Sequence, residues 1–446
     1  MTVGQDRSAA AGPLPKALFL IPPAGGSGRN MVRDFVYGCW CNGRRIGGME
    51  MPPLNELYAA SHARQEGLET VLLDAQVEPE RFKALLSDRL AGYLALVLMS
   101  STQSFRHDLE VLARVKAAAP GIRTVLFGSH PTFMPRYALE PPQVDYIVQR
   151  EPEETIRRLL GRLARGEDPA GLKGIGFRDP SGRIRLNPPR PFVDLDHLAL
   201  PDRTLLPRGI DYFNPVVRRM PYTTIQTSRG CPGRCIFCTA PEFYGRRIRV
   251  RSTEGVMEEL SRIKAAGFRE VFFRDETFTA YRDRNRELCR AMIRERLDLA
   301  WIANGRVDMI DPEDLKLMRR AGCHLIKFGL ESGCDELLQA YRKGTTAAQA
   351  ERAFAAAREA GLEIHAHLIF GGPGESLATI GRTLDFVKKL QPTTASFGIL
   401  TPYPGTELFD RVAEARPEIR DGSGSNMDNL HVQGFFSEVI CGLPAG

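Results

Sequence analysis

The chain has 446 residues, long enough for two or three domains that each bury a core, and its 43% hydrophobic and 26% charged residues are those of an ordinary globular protein. The formal charge of +6 is a small excess, and the basic clusters Arg218-Arg219 and 246–251 are short, with only Phe243 and Tyr244 beside the second. That pattern argues against a nucleic-acid substrate, which calls for basic residues interleaved with aromatic ones, and favours a small molecule. No apolar run approaches the roughly 20 residues of a membrane span. The apolar stretch Ala17–Ile21 is too short for a leader peptide and runs into Pro22-Pro23. Nine cysteines without framework spacing argue against a disulfide-stapled secreted domain, so the cytoplasm is the expected compartment.

Residues 1–15, rich in Ala, Gly and Pro, read as a loose tail. From Lys16 strands and helices alternate: a strand at 17–21, a helix over 53–66 ended by Gly67, and a strand at 70–73. The continuous apolar run 93–99 marks a strand covered on both faces; a helix over 105–118 and strands at 123–127 and 146–148 follow. This alternation predicts a doubly wound parallel sheet over 16–165, whose ligands gather at the carboxyl ends of the strands. Gly and Pro accumulate over 166–215, read as a connector in which Asp179-Pro-Ser-Gly182 turns between two short strand-like runs. A second alternation fills 216–410, with strands at 223–228, 270–274, 299–303, 324–330, 364–369 and 394–400 and helices between them. Six such units predict a partial (β/α)6 barrel, again with ligands at the carboxyl ends of the strands. Residues 411–446 form an extension in which Gly422–Ser425 resembles a joint.

Just after the first barrel strand, Thr227-Ser-Arg-Gly-Cys-Pro-Gly-Arg-Cys-Ile-Phe-Cys238 sets three thiols at spacing Cys-x3-Cys-x2-Cys. Cys231, Cys235 and Cys238 can ligate three irons of a cubane and leave the fourth open. Zinc or simply buried thiols are the alternatives; a zinc knuckle wants a fourth Cys or His, and none follows within about twenty residues.

This loop resembles the signature of the radical S-adenosylmethionine (SAM) superfamily, and the resemblance extends over about residues 220–410. It implies a [4Fe-4S] cluster whose open iron is chelated by SAM. An electron from an external flavodoxin- or ferredoxin-type donor then cleaves SAM to a radical that takes a hydrogen atom from the substrate. Phe237 matches the position that packs on the adenine, and Asp275-Glu276 the acidic motif near the SAM amino group. Arg306 in Asn304-Gly-Arg-Val-Asp308 and Glu331 in Gly329-Leu-Glu-Ser-Gly333 match further SAM contacts. Gly371 and Gly372 lie in the counterpart of the fifth-strand glycine motif, and Thr401-Pro-Tyr-Pro-Gly405 resembles the segment after the sixth strand. Asp275, Arg306 and Glu331 also read as ion pairs at strand ends. Arg342 and Lys343 stand where the family often has a basic residue facing SAM.

The amino-terminal half resembles the Rossmann-like cobalamin-binding domain that precedes the barrel in a large subgroup of that superfamily. The resemblance rests on the helix start Pro52-Pro53-Leu54, on Ser100-Ser101-Thr102 and on Gly128-Ser-His130-Pro-Thr132, and implies cobalamin contacts there. His130 also reads as a cap on the sheet. No Asp-x-His-x-x-Gly motif occurs, and Arg150-Glu-Pro-Glu153 stands where the family shows Gly-Glu-Gly-Glu. Gly25-Gly26-Ser-Gly28 permits close backbone approach to a ligand, and Cys39-Trp-Cys41 fits packing better than a metal site. The implied reaction is cobalamin-dependent methylation of an unactivated carbon or phosphorus. A cyclisation, ring contraction or oxidative rearrangement with the same cofactors is the nearest alternative, and a cobalamin or redox sensor with a structural cluster the most distant.

Overall fold

A computed structural model describes residues 14–23, 50–88, 90–210, 212–420 and 436–443. Gly25–Gly28, Cys39–Cys41 and Gly422–Ser425 lie outside the described residues. Among the described residues no helix is long and apolar enough to cross a membrane.

The first sheet is built from β1 (Lys16–Ile21), β2 (Glu69–Asp74), β3 (Tyr93–Met99), β4 (Arg123–Phe127), β5 (Tyr146–Val148), β6 (Ile175–Arg178) and β7 (Ile184–Leu186), in the order β2-β1-β3-β4-β5-β6-β7. Strands β1 to β5 pair in parallel. They are Val- and Leu-rich because helices cover both faces, which splits the core in two: Phe19, Val97 and Phe127 on one side, Leu20, Leu98 and Leu126 on the other. The helix Leu54–Ala63 starts directly after Pro52-Pro53, since Pro53 has no N–H to leave unpaired. Strands β6 and β7 form an antiparallel hairpin that extends the same sheet. The sheet therefore runs on into the stretch expected to be a connector, because β5 would otherwise expose an unpaired edge. Two helices not foreseen from the sequence, Pro79–Asp88 and Glu153–Ala164, connect β2 to β3 and β5 to β6.

The second unit begins at β8 (Tyr222–Ile225). It continues through the two-residue strands β9 (Ser228–Arg229) and β10 (Arg249–Val250), then β11 (Glu270–Phe273), β12 (Ala300–Gly305), β13 (Cys323–Glu331), β14 (Glu363–Phe370) and β15 (Thr394–Ile399). Strands β8, β11, β12, β13, β14 and β15 form one all-parallel sheet in that order. Helices between them pack on its outer face around Trp301, Phe273, Leu288 and Phe354. The inner face is layered, as the two-residue period of a strand requires. Phe272, Ile302 and Leu325 close the floor with Met51 and Val217. Asn304, Lys327 and His365 stand on the next layer of their strands with Arg274 just past the end of β11, and Gly329 above them with Glu276 and Arg306 just past the ends of β11 and β12.

Candidate active site

The cysteine loop is clasped at its base. Strands β9 and β10 pair antiparallel, Arg229 opposite Arg249, so the chain between them is tied down on both sides. Gly230 follows immediately with φ +102°, and a Cβ there would come within 2.5 Å of the Arg247 carbonyl oxygen, so glycine is required. Cys231 N–H donates to the Gly245 carbonyl at 3.2 Å. The three thiols line one cavity of about 210 Å³ at the carboxyl ends of the barrel strands. Burial pushes the Cys235 and Cys238 thiols up, and for Cys238 the neighbouring thiols Cys235 and Cys231 add to it. Among the described residues no three Cys, His, Asp or Glu converge on one ion-sized point. Three thiols that line one cavity, with no fourth Cys or His among its lining beyond His367, suit a cubane, whose irons take one thiolate each.

Asp275 and Glu276 are neighbours with different tasks. The Asp275 carboxylate is fully buried and accepts from Thr227 N–H (2.6 Å), Thr227 Oγ1 (2.6 Å) and Ser228 Oγ (2.7 Å), with Arg284 3.7 Å away. It pins the strand that leads into the cysteine loop and does not line the cavity. Glu276 does line it, accepting from Gly230 N–H at 3.1 Å; burial first, and Asp275 second, hold its carboxyl well above the usual range.

Arg306 and Glu331 face the same space. Arg306 bonds Asp308 at 3.0 Å through both Nε and one terminal nitrogen, and donates to the Lys343 carbonyl at 2.9 Å. A register shift against β14 and a φ of +64° turn Glu331 to the cavity, where Lys343 Nζ meets it at 2.6 Å. Phe237 lines the cavity and packs edge-on against Tyr341, centroids 6.1 Å apart. Gly371 and Gly372 stand behind this wall. A Cβ on Gly372 would lie 2.3 Å from the Tyr341 ring, so its bareness seats the tyrosine that backs Phe237.

From the first sheet, Ser101 and Thr102 reach the cavity, joined by Gln103 and Ser129. Gln103 Nε2 donates to Tyr403 Oη at 3.1 Å, bridging the two units across its mouth. The other expected contacts hold the loops from within. Ser100 Oγ donates to Asp108 at 2.7 Å, Gly128 lies against the Ser100 carbonyl, and Thr132 Oγ1 donates to the Gly128 carbonyl at 2.6 Å. His130 is buried, stacked on Phe105 at 4.1 Å with Nδ1 3.4 Å from Thr102 Oγ1; burial pulls it down to about 3. It presents no nitrogen to the cavity, in keeping with the missing Asp-x-His-x-x-Gly. The polar mouth between the sheets suits a corrin without a lower histidine. Arg150–Glu153 also finds its use: Glu153 takes Arg229 at 2.5 Å, and Glu151 takes Arg249 at 2.5 Å, all beneath the cysteine loop.

Sequence reasoning singled out neither Lys327 nor Gln103 and Ser129. The first was legible in principle, since Lys327 stands two residues before Gly329 and so on the same face of β13.

Residues 225–387 match the model of the radical SAM superfamily, and residues 47–160 that of the B12 binding domain. An uncharacterized methyltransferase of Pyrococcus horikoshii, PH0819, is 33% identical over 371 residues, covering 82% of this chain and 80% of its own. The anaerobic magnesium-protoporphyrin IX monomethyl ester cyclase of Rubrivivax gelatinosus is 28% identical, covering 82% and 68%. The fold matches that of the radical SAM methyltransferase TsrM of Kitasatospora setae, solved with cobalamin and a [4Fe-4S] cluster, with TM-score 0.72 at 20% identity over 91% of this chain and 76% of that one. With the cysteine loop, the six-stranded barrel and the preceding doubly wound sheet, these likenesses establish that the chain belongs to the radical SAM superfamily, among the members that carry an amino-terminal B12-binding domain.

Proposed function

We propose that the protein is a cobalamin-dependent radical SAM methyltransferase acting on a small molecule at an unactivated carbon or phosphorus. One observation carries this reading: the three thiols and the Ser101–Gln103 end of the first sheet open on one and the same cavity. Bound there, a [4Fe-4S] cluster, SAM and cobalamin would supply one-electron cleavage of SAM and a transferable methyl group. Cys231, Cys235 and Cys238 would hold the cluster. Asp275 keeps their loop in shape, while Glu276, Arg306, Glu331 and Phe237 surround the place for SAM. Ser101, Thr102, Gln103 and Ser129 would face the corrin, and the Gln103–Tyr403 bond ties the two units together at the mouth. Acid, base and SAM-facing side chains on several strands exceed what a sensor with a structural cluster needs. The electron would come from an external donor of flavodoxin or ferredoxin type.

The test is anaerobic purification with hydroxocobalamin, followed by counts of iron and cobalamin per chain and assay of 5′-deoxyadenosine under reductant. About four irons and one cobalamin, with SAM cleavage, are expected from one cubane and one corrin site. Iron without cobalamin would remove the methyltransferase reading and leave radical chemistry alone. The identity to a cyclase favours one second reading, cyclisation without methyl transfer. Product mass separates the two, because only the first adds a methyl group.

A further inference from the structure

Within the barrel, between its apolar floor and the rim of Glu276, Arg306 and Glu331, lies a layer whose side chains have no part in the cofactor contacts assigned above. Lys327 lines the cavity from the middle of β13, and its ammonium stands over the Phe272 ring at 5.1 Å. The Arg274 guanidinium lies over the same ring at 5.2 Å. Lys327 has no hydrogen bond and no ion pair with any of the described residues. The two acids higher on the wall are committed, Glu331 to Lys343 and Glu276 to the Gly230 amide. Burial first, and Arg274 second, pull Lys327 down to about 7. Across from it on β14, His367 lines the cavity and His365 stands 4.4 Å from it, ring to ring. Burial and Lys327 hold both histidines below their ordinary value. Both His365 nitrogens and His367 Nδ1 bond the hydroxyls of Thr394 and Ser396, and an imidazole carries no negative charge to set against Lys327.

A lysine with no carboxylate partner, crowded by a second cation at the bottom of a cavity, is costly unless something anionic arrives with the ligand. Naturally occurring buried charges are paired, and among the described residues Lys327 has no opposite charge to pair with. We propose that Lys327 anchors an anionic group of the substrate, a carboxylate or phosphoryl oxygen, at the barrel floor, leaving the opposite end of the substrate beneath the cofactors. The proposal rests on the barrel cavity being the substrate site, as the functional reading has it. It makes Lys327 a residue that decides substrate class.

The experiment uses the full chain as purified anaerobically, with inorganic phosphate and acetate as separate probes against chloride at equal ionic strength. Reductive methylation with formaldehyde, read by peptide mass spectrometry, reports how open Lys327 is. Calorimetry reports affinity in the wild type, Lys327→Met and Lys327→Arg. One probe should protect Lys327 and leave the exposed Lys388 unchanged, and which of the two protects tells carboxylate from phosphoryl recognition. Its affinity should fall about tenfold or more in Lys327→Met, the loss of one charge-assisted hydrogen bond, and stay within about threefold in Lys327→Arg. Iron content and corrin absorbance report whether each variant is folded. Equal affinity in Lys327→Met, or no protection by either probe, overturns the proposal. Neither readout needs SAM cleavage, so failure here and failure of the methyltransferase reading are told apart.

Discussion

Replacing Arg229 with Met tests whether the two units are held together beneath the cysteine loop by a buried charge. Arg229 is 1% exposed, and its guanidinium reaches Glu153 at 2.5 and 3.2 Å and Glu151 at 3.3 Å. Burial alone would lower its affinity for a proton, but Glu153 and Glu151 more than offset that and raise it well above the ordinary value. The rings of Tyr244 and Tyr58 lie 5.4 and 5.8 Å from its guanidinium carbon. In Arg229→Met, Glu151 keeps Arg249 while Glu153, wholly buried, keeps no cation among the described residues. Breaking a buried pair in this way costs about 3–5 kcal/mol, a large part of a domain's stability of roughly 5–15 kcal/mol. A second change, Glu153→Leu, removes the stranded carboxylate and should restore at least about half of that, since an apolar pair has no charge to desolvate. Urea unfolding of the apo-protein followed by far-ultraviolet circular dichroism gives both numbers as midpoint shifts at constant slope. A loss under about 1 kcal/mol in the single variant, or losses that simply add in the double one, would refute the reasoning. The same variant should lose iron faster, because Arg229 is the residue that enters the loop.

Two further outcomes follow from the site. Asp275→Ala frees Thr227 and Ser228 and should lower iron retention at least severalfold, whereas Glu276→Gln should keep its iron and change SAM affinity; iron and SAM binding assayed side by side distinguish the two. Stability should fall as pH drops from about 6.5 towards 3, because the unfolded chain protonates His130 where the folded one, at about 3, does not. The cost grows by up to about 1.4 kcal/mol per pH unit from this group. His130→Gln should flatten that slope in denaturation curves collected at several pH values, and an unchanged slope would remove the assignment.

Much of this was legible in the sequence because the signals are local. A Cys-x3-Cys-x2-Cys loop after a strand, apolar runs bounded by Gly and Pro, and helical periods between them depend only on neighbours along the chain. Facing was harder to read. Asp275 and Glu276 look alike in sequence, yet the turn just after β11 sends one to the loop and the other to the cavity, and which is which depends on how that turn leaves the strand. Ser100, Gly128 and Thr132 sit in the expected loops but bond within them. Lys327 looks like any charged residue until the sheet curves around it. The pairing of Arg229 with Glu153 spans 76 positions and two units, which no periodicity encodes. Nor does a short hairpin announce that it will complete a sheet begun at Lys16, as β6 and β7 do.

The clasp of β9 against β10 bears on how iron is acquired. Closing a loop costs entropy that grows only with the logarithm of its length, and here the ladder and the Asp275 anchor meet that cost with protein groups alone. The cysteines are thus confined before any metal arrives, unlike the ligands of a zinc finger, whose fold forms with the ion. Cluster assembly would then occupy a loop already shaped by the protein, and loss of iron should leave the pairing of β9 with β10 in place.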